Sequence, residues 1–180
     1  MRVEVQPYNP SWPSYFQTIK SELNDALQGV NVISIEHVGS TSVPGLAAKP
    51  IIDVDVVVSP LNIGAATEAL VSRGGYDNMD GWGIEGRVAL RKADATPKRN
   101  VYVCLSGCVG LRNHIALRDT CRADARVRDA YSEAKLKLAE RAWESVDEYA
   151  VAKSEIVQWI LGKAGMSAGD LREIARQNQG

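Results

Sequence analysis

Asp53 and Asp55 alternate inside the apolar run Ile51 to Val58. On a strand, side chains two apart share a face, so the two carboxylates project together while Ile52, Val54, Val56 and Val58 point the other way. Such a pair is self-repelling unless water or a cation compensates. Mg²⁺ suits it, since that ion takes one or two carboxylates plus substrate phosphates. Upstream, Gly39 permits close backbone approach, and Ser40, Thr41 and Ser42 offer hydroxyls and exposed N–H groups to phosphate oxygens. Lys49 adds a mobile positive charge. Together these residues suit a metal–triphosphate aligned for displacement at phosphorus. A bland alternative stands beside this one: two aspartates facing water from an open sheet, and a GSTS turn that is only a loop.

Other residues carry weaker signals. His37, two residues before the glycine, can assist a proton transfer or bond to the turn. His114 reads as a structural or substrate-orienting residue near a helix start. Cys104, Cys108, His114 and Cys121 offer four soft ligands, but without paired CxxC spacing they read as separate residues rather than zinc ligands. Arg87, Arg91, Lys92, Lys98 and Arg99 can meet phosphates or simply charge a hairpin edge. Arg118, Arg122 and Arg126, spaced by four, form one ladder on a long helix, partly neutralised by interleaved aspartates. Of the tryptophans, Trp12, Trp143 and Trp159 fit helix faces, and Trp82 in DGWGIEG is the candidate to stack on a base.

The elements that must position these residues are legible from periodicity. Ser11 as cap, Pro13, and apolar residues from Trp12 to Leu27 at helical spacing predict a first helix. Asn31 to Val38 and Ile51 to Val58 read as strands, separated by Pro44, Gly45 and Pro50. A helix over Ile63 to Arg73 ends at Gly74 and Gly75. The stretch GYDNMDGWGIEGR reads as a loop or wide hairpin, followed by strands over Arg87 to Lys92 and Asn100 to Leu105. From Leu111 the pattern is helical, and Ser145 to Glu148 forms a capping-box signal for a further helix ended by Gly162 and Gly165. The sum is α+β: a small mixed β-sheet flanked by helices, with a C-terminal helical region. Residues 1–165 read as one domain and 166–180 as a tail forming a short frayed helix. A formal net charge of −1 gives no argument for nucleic acid or membrane binding. Without an apolar leader or an apolar run of about 18 residues, and with three cysteines in odd number, a cytoplasmic location is expected.

The segment EHVGSTSVPGLAAKPIIDVDVVV resembles the polymerase β-type nucleotidyltransferase signature, and more narrowly the hallmark of the GrpB family. RNVYVC from Arg99, LRNHIALRD from Leu111, Tyr131 with Lys135, and Asp147-x-Tyr149 followed by Lys153 continue the likeness to about Leu161. The resemblance implies a divalent metal, Mg²⁺ or Mn²⁺, on Asp53 and Asp55. It implies contacts to substrate from the Gly39–Ser42 turn, His37, Lys49, Tyr102, Arg118 and Lys153. The substrate would be a nucleoside triphosphate or another phosphorylated small molecule. The activity would be transfer of a nucleoside monophosphate to a small-molecule or protein acceptor; by composition a membrane partner is not expected, nucleic acid is disfavoured and a protein partner stays open. Related domains also occur fused to a dephospho-coenzyme A kinase. Active nucleotidyltransferases add a third carboxylate on a later strand, whereas Asn100-Val101-Tyr102-Val103-Cys104 has none. Two readings therefore stand: a transferase whose third acid comes from elsewhere, Glu85 or Asp119, and a nucleotide- or phosphometabolite-binding protein without turnover. A nucleotide-sugar glycosyltransferase, which also uses D-x-D, is disfavoured by the short chain.

Overall fold

The computed structural model describes residues 3–79 and 85–177. The β-branched run becomes strand β2 (Ile52–Val58), paired antiparallel with β1 (Ser34–Val38). On its other side β2 pairs in parallel with β5 (Arg99–Leu105), which is antiparallel to β4 (Arg87–Arg91). A two-residue strand, β3 (Asp77–Asn78), completes the order β1-β2-β5-β4-β3. This is the mixed sheet expected.

Alternation decides what each face meets. Ile52, Val54, Val56 and Val58 of β2, with Val101 and Val103 of β5, pack on Trp12, Phe16, Ile19 and Leu23 of α1 (Trp12–Ala26). Ala66 and Leu70 of α2 (Ile63–Ser72) close the same core. Burying each such Leu or Ile contributes about 1.5–3 kcal/mol, so this layer is the main anchor of the sheet. The opposite face presents Asp53, Asp55, Asn100, Tyr102 and Cys104, and the C-terminal helices cover it.

Those helices are more divided than the sequence suggests. The long helix is two, α3 (Val109–Ala123) and α4 (Ala125–Ala139). Asp124 between them is extended, and its carboxylate accepts from the backbone N–H groups of Arg126 (2.9 Å) and Val127 (3.4 Å). An aspartate that caps a new helix ends the old one, so the arginine ladder is broken between Arg122 and Arg126. Likewise Lys153 separates α5 (Val146–Ala152) from α6 (Ser154–Lys163). The tail forms α7 (Ala168–Gln177), packed on α3 and α6, with Ile174 buried and Asp170 bonded to Arg112 through both oxygens at 2.8 Å.

Smaller differences have local causes. Ser11 makes no side-chain cap to α1; instead its own N–H donates to Asn9 Oδ1 at 2.9 Å. Ser145 does cap α5, accepting from Glu148 N, but the Glu148 carboxylate bonds the N–H of Glu144 rather than that of Ser145. Trp12 is buried in the core, Trp143 lies in the connection after α4, and Trp159 is 45% exposed rather than packed. Trp82 lies outside the described residues.

Candidate functional site

Gly39 ends β1 and begins a single 3₁₀ turn, Ser40–Ser42. Its φ is +69°, and a Cβ there would stand 2.3 Å from Asp53 Oδ2. Only glycine fits, for both reasons. The turn thus lies directly against the first aspartate, as the spacing suggested. Its hydroxyls divide: Ser42 Oγ turns back to Gly39 O at 2.6 Å, and Thr41 Oγ1 meets His37 Nε2 at 3.0 Å. Ser40, bonded to the Tyr131 hydroxyl, and Thr41 border a cleft of about 460 Å³.

The cleft is bounded by Asp53, Asn100 and Tyr102 from the sheet, Lys49 from the loop before β2, and Lys135, Tyr149 and Lys153 from the helices. Asp53 faces Asn100 across the parallel pair, and Asn100 Nδ2 donates to Asp53 Oδ1 at 2.8 Å. Burial pushes the Asp53 carboxyl above its usual range, and the Asn100 bond opposes that shift. Asp55, 0% exposed, faces Tyr102 across the same pair. Its two oxygens lie 3.1 and 2.9 Å from His114 Nδ1, on the first turns of α3. Burial opposes charge on His114, but the Asp55 carboxylate outweighs it and holds the imidazole above its usual range. Half-buried Asp53 and fully buried Asp55 therefore each have a protein donor.

Lysines dominate the facing wall. Lys49 Nζ lies 4.5 Å and Lys153 Nζ 5.0 Å from the centre of the Tyr149 ring. Lys135, 3% exposed, lies 4.4 Å from the Tyr131 ring centre and donates to Ala47 O. Desolvation lowers Lys153 to about 8, with repulsion from Lys49 adding to it. Burial, and repulsion from Lys153, lower Lys135 to about 7. Lys49 is lowered too, chiefly by burial. Ammonium groups crowded in one partly dry cleft are short of negative charge.

Three expected contact residues lie elsewhere. Ser42 closes its own turn. His37 is buried, stacked on Phe16 with ring centres 4.7 Å apart, and burial with the nearby Arg122 and Arg118 lowers it to about 4. Its imidazole is a packed, neutral turn support at neutral pH. Arg118 bonds Glu36 (3.0 Å) and His37 O (3.2 Å), so it braces β1 rather than entering the cleft. Arg99, buried, pairs with Glu22 and bonds Pro97 O, and is withdrawn from any phosphate role. Asp119 pairs with Arg118, and Glu85 is not among the residues lining the cleft, so neither supplies the third acid. The two carboxylates proposed for a metal each have one protein donor, Asn100 on Asp53 Oδ1 and His114 on Asp55. Among the described residues no group of three or more His, Cys, Asp or Glu side chains is placed to hold a metal ion. A divalent cation here would take Asp53 and Asp55 and draw its remaining ligands from substrate phosphates and water.

Lys135 and Lys153, family-matched helix lysines expected to reach phosphates, both border the cleft, whereas Tyr149 was not singled out as a contact. Tyr149 and Lys153 are four apart across a helix junction, which places them near each other and was the available signal. Lys135 comes from a different helix, and only the packing of α4 on the loop after the turn brings it in.

Fold and site together define a class: an α+β protein with a five-stranded mixed sheet, whose glycine-serine turn and alternating aspartates border a lysine-lined cleft. The chain belongs to the GrpB family, whose model, described as GrpB protein, matches residues 2–163. It is 36% identical over 165 residues to UPF0157 protein BH1888 of Halalkalibacterium halodurans, covering 90% of this chain and 82% of that one. The crystal structure of the conserved protein GrpB from Enterococcus faecalis superposes with a TM-score of 0.76 at 31% identity, covering 91% of this chain and all of that one. A dephospho-CoA kinase of Mycolicibacterium paratuberculosis is 28% identical over 181 residues, which are 84% of this chain but 43% of the kinase. Among the described residues no helix is long and apolar enough to cross a membrane.

Proposed function

We propose that the cleft binds a phosphorylated small molecule, a nucleoside triphosphate being the leading candidate, without requiring a metal ion. The observation that carries this reading is the convergence of Lys49, Lys135 and Lys153 on one cleft beside Asp53. Each lysine has a lowered affinity for its proton, so a polyanion supplies the missing countercharge and draws protons in as it binds. The Ser40 and Thr41 turn adds polar groups to the phosphates, and Tyr102 borders the same cleft beside Asn100.

Transfer of a nucleoside monophosphate is the second reading. It is favoured by the Gly39–Ser40 turn seated against Asp53, with Asp55 two residues on. Against it stands Asn100, an amide donor on the neighbouring strand where an acid would complete the pair. The Asp55–His114 couple gives this chain one proton-holding group beside the cleft, at Nδ1, but no step through a metal follows from these donors.

Calorimetric titration of a nucleoside triphosphate panel and of phosphorylated sugars, with Mg²⁺ and with chelator, separates the readings. Binding in chelator that weakens above pH 8 and drops about tenfold in Lys153→Met supports the first, such a loss corresponding to one charged hydrogen bond. Binding that needs Mg²⁺ and disappears in Asp53→Asn/Asp55→Asn supports the second, and pyrophosphate release would then be assayed. A wild-type protein that binds no phosphorylated compound overturns both.

A further inference from the structure

Behind the aspartates, at the junction of β5 and α3, two of the three cysteines meet. Cys104 is fully buried on β5, on the same face as Asn100 and Tyr102. Cys108 is the N-cap of α3, and its sulfur accepts from Leu111 N–H at 3.5 Å. The chain between them folds back in a tight turn, with Cys108 N bonded to Leu105 O at 3.1 Å and Gly107 at φ +78°. The turn packs Cys108 against buried Cys104 in one cluster with Val57 and Leu111. Gly86 lies under Cys108 so closely that a Cβ there would stand 2.9 Å from Cys108 Cβ. Cys108 is thus held over Cys104 from below and through its helix. Cys121, buried in a separate cluster with Val43 and Tyr131, belongs to neither.

Accessibility divides the pair: Cys108 is partly exposed, while Cys104 is sealed. The bond from Cys104 lowers the Cys108 thiol to about 6, with the backbone donors of the α3 terminus adding to the shift against the cost of burial. The same contact pushes Cys104 up. The accessible sulfur is the one inclined toward thiolate and the buried thiol stands beside it, the arrangement of an attacking and a resolving cysteine.

We propose that Cys108 and Cys104 form a peroxide-reactive dithiol, a modification site that closes to an intramolecular disulfide. The Cys108 thiolate attacks a hydroperoxide, forming an S–O bond as the O–O bond breaks, and with hydrogen peroxide water leaves after protonation. The Cys104 sulfur, giving up its proton, then attacks the Cys108 sulfenic acid: the S–S bond forms, the S–O bond breaks, and a second water leaves. Two thiols are oxidised by two electrons and one hydrogen peroxide is reduced to two waters. The disulfide pins the strand carrying Asn100 and Tyr102 to the helix carrying His114. A small dithiol reverses it.

Both cysteines fall in one tryptic peptide, residues 100–112, and Cys121 in another, so peptide mass spectrometry reads the product directly. Treatment of the whole protein with hydrogen peroxide should remove two hydrogens from the first peptide, restored by dithiothreitol, while Cys121 stays a thiol. In Cys104→Ser, dimedone should trap a sulfenic acid on Cys108, and in Cys108→Ser, Cys104 should stay unoxidised. Before oxidation, Cys108 should react with maleimide at least about tenfold faster than Cys121, following thiolate fraction and exposure. Oxidation of Cys108 straight to a sulfinic acid in the wild type, a disulfide between two chains, or equal reactivity of all three cysteines each overturns the proposal.

Discussion

Asn100 is the residue on which the chemistry of the cleft turns. It stands opposite Asp53 in register, and its amide neutralises by hydrogen bonding what a carboxylate would repel. Asn100→Asp should therefore destabilise the metal-free protein, since a second carboxylate would stand against Asp53 in a half-buried cleft. A cost of about 1–3 kcal/mol is expected, read as a fall in Tm of roughly 3–9 °C for a chain of this size. Millimolar Mg²⁺ or Mn²⁺ should restore it if three acids suffice to build a metal site here. A fall without recovery would mean that Asp55 stays committed to His114. Lys135 and Lys153 give a second test. Below about pH 7 both are charged in the folded and unfolded states, and their burial cost is fully present. Between about pH 7 and 10 the unfolded chain binds more protons, so stability rises with pH. The urea midpoint should climb over that window in the wild type and stay flatter in Lys135→Met/Lys153→Met; a falling midpoint in the wild type would show that other groups dominate.

At the level of elements, the sequence carried the sheet well and the helical layer less so. Strand β2 was plain because β-branched residues alternate with two aspartates, and α1 because its apolar residues keep one face. The α3–α4 break was hidden, since Asp124 sits among acids and arginines that fit a helix surface equally well. Only its extended backbone reveals it as a cap. The four-residue spacing of Arg118, Arg122 and Arg126 then misled, for the first two leave the helix surface to bind backbone carbonyls at His37 and Ser42. With Ser132 bonded to Ala47 N and Lys135 to Ala47 O, they tie the glycine-serine loop to the helices. Periodicity cannot show such ties, because they depend on which loop passes beneath. Asp124→Ala should cost about 1 kcal/mol through the lost cap, lowering Tm by roughly 2–4 °C, and circular dichroism melts would read it. No change would indicate that α3 and α4 fuse without strain.

For the molecule as a whole, the helix after the family-matched region packs on α3 and α6. The matched region ends at residue 163, while α7 follows from Ala168, buries Ile174 and engages Arg112. None of the residues lining the cleft lies on α7. A chain ended at Gly165 should lose about 2 kcal/mol, the burial of one isoleucine side chain, and show a lower urea midpoint. Its affinity for any cleft ligand should be unchanged; a loss of binding would mean that the helical layer shifts as a unit.

Gly39 and Asp53 do not vary independently. The carboxylate occupies the volume that any side chain at position 39 would need. A descendant that abandons the site therefore has an order of events imposed on it: the aspartate must shorten before the glycine can be replaced, and even then a positive φ penalises most newcomers. Loss in the opposite order passes through a poorly folding intermediate. Drift away from this cleft runs one way, through position 53 first, and a glycine at 39 can outlast the chemistry it once served.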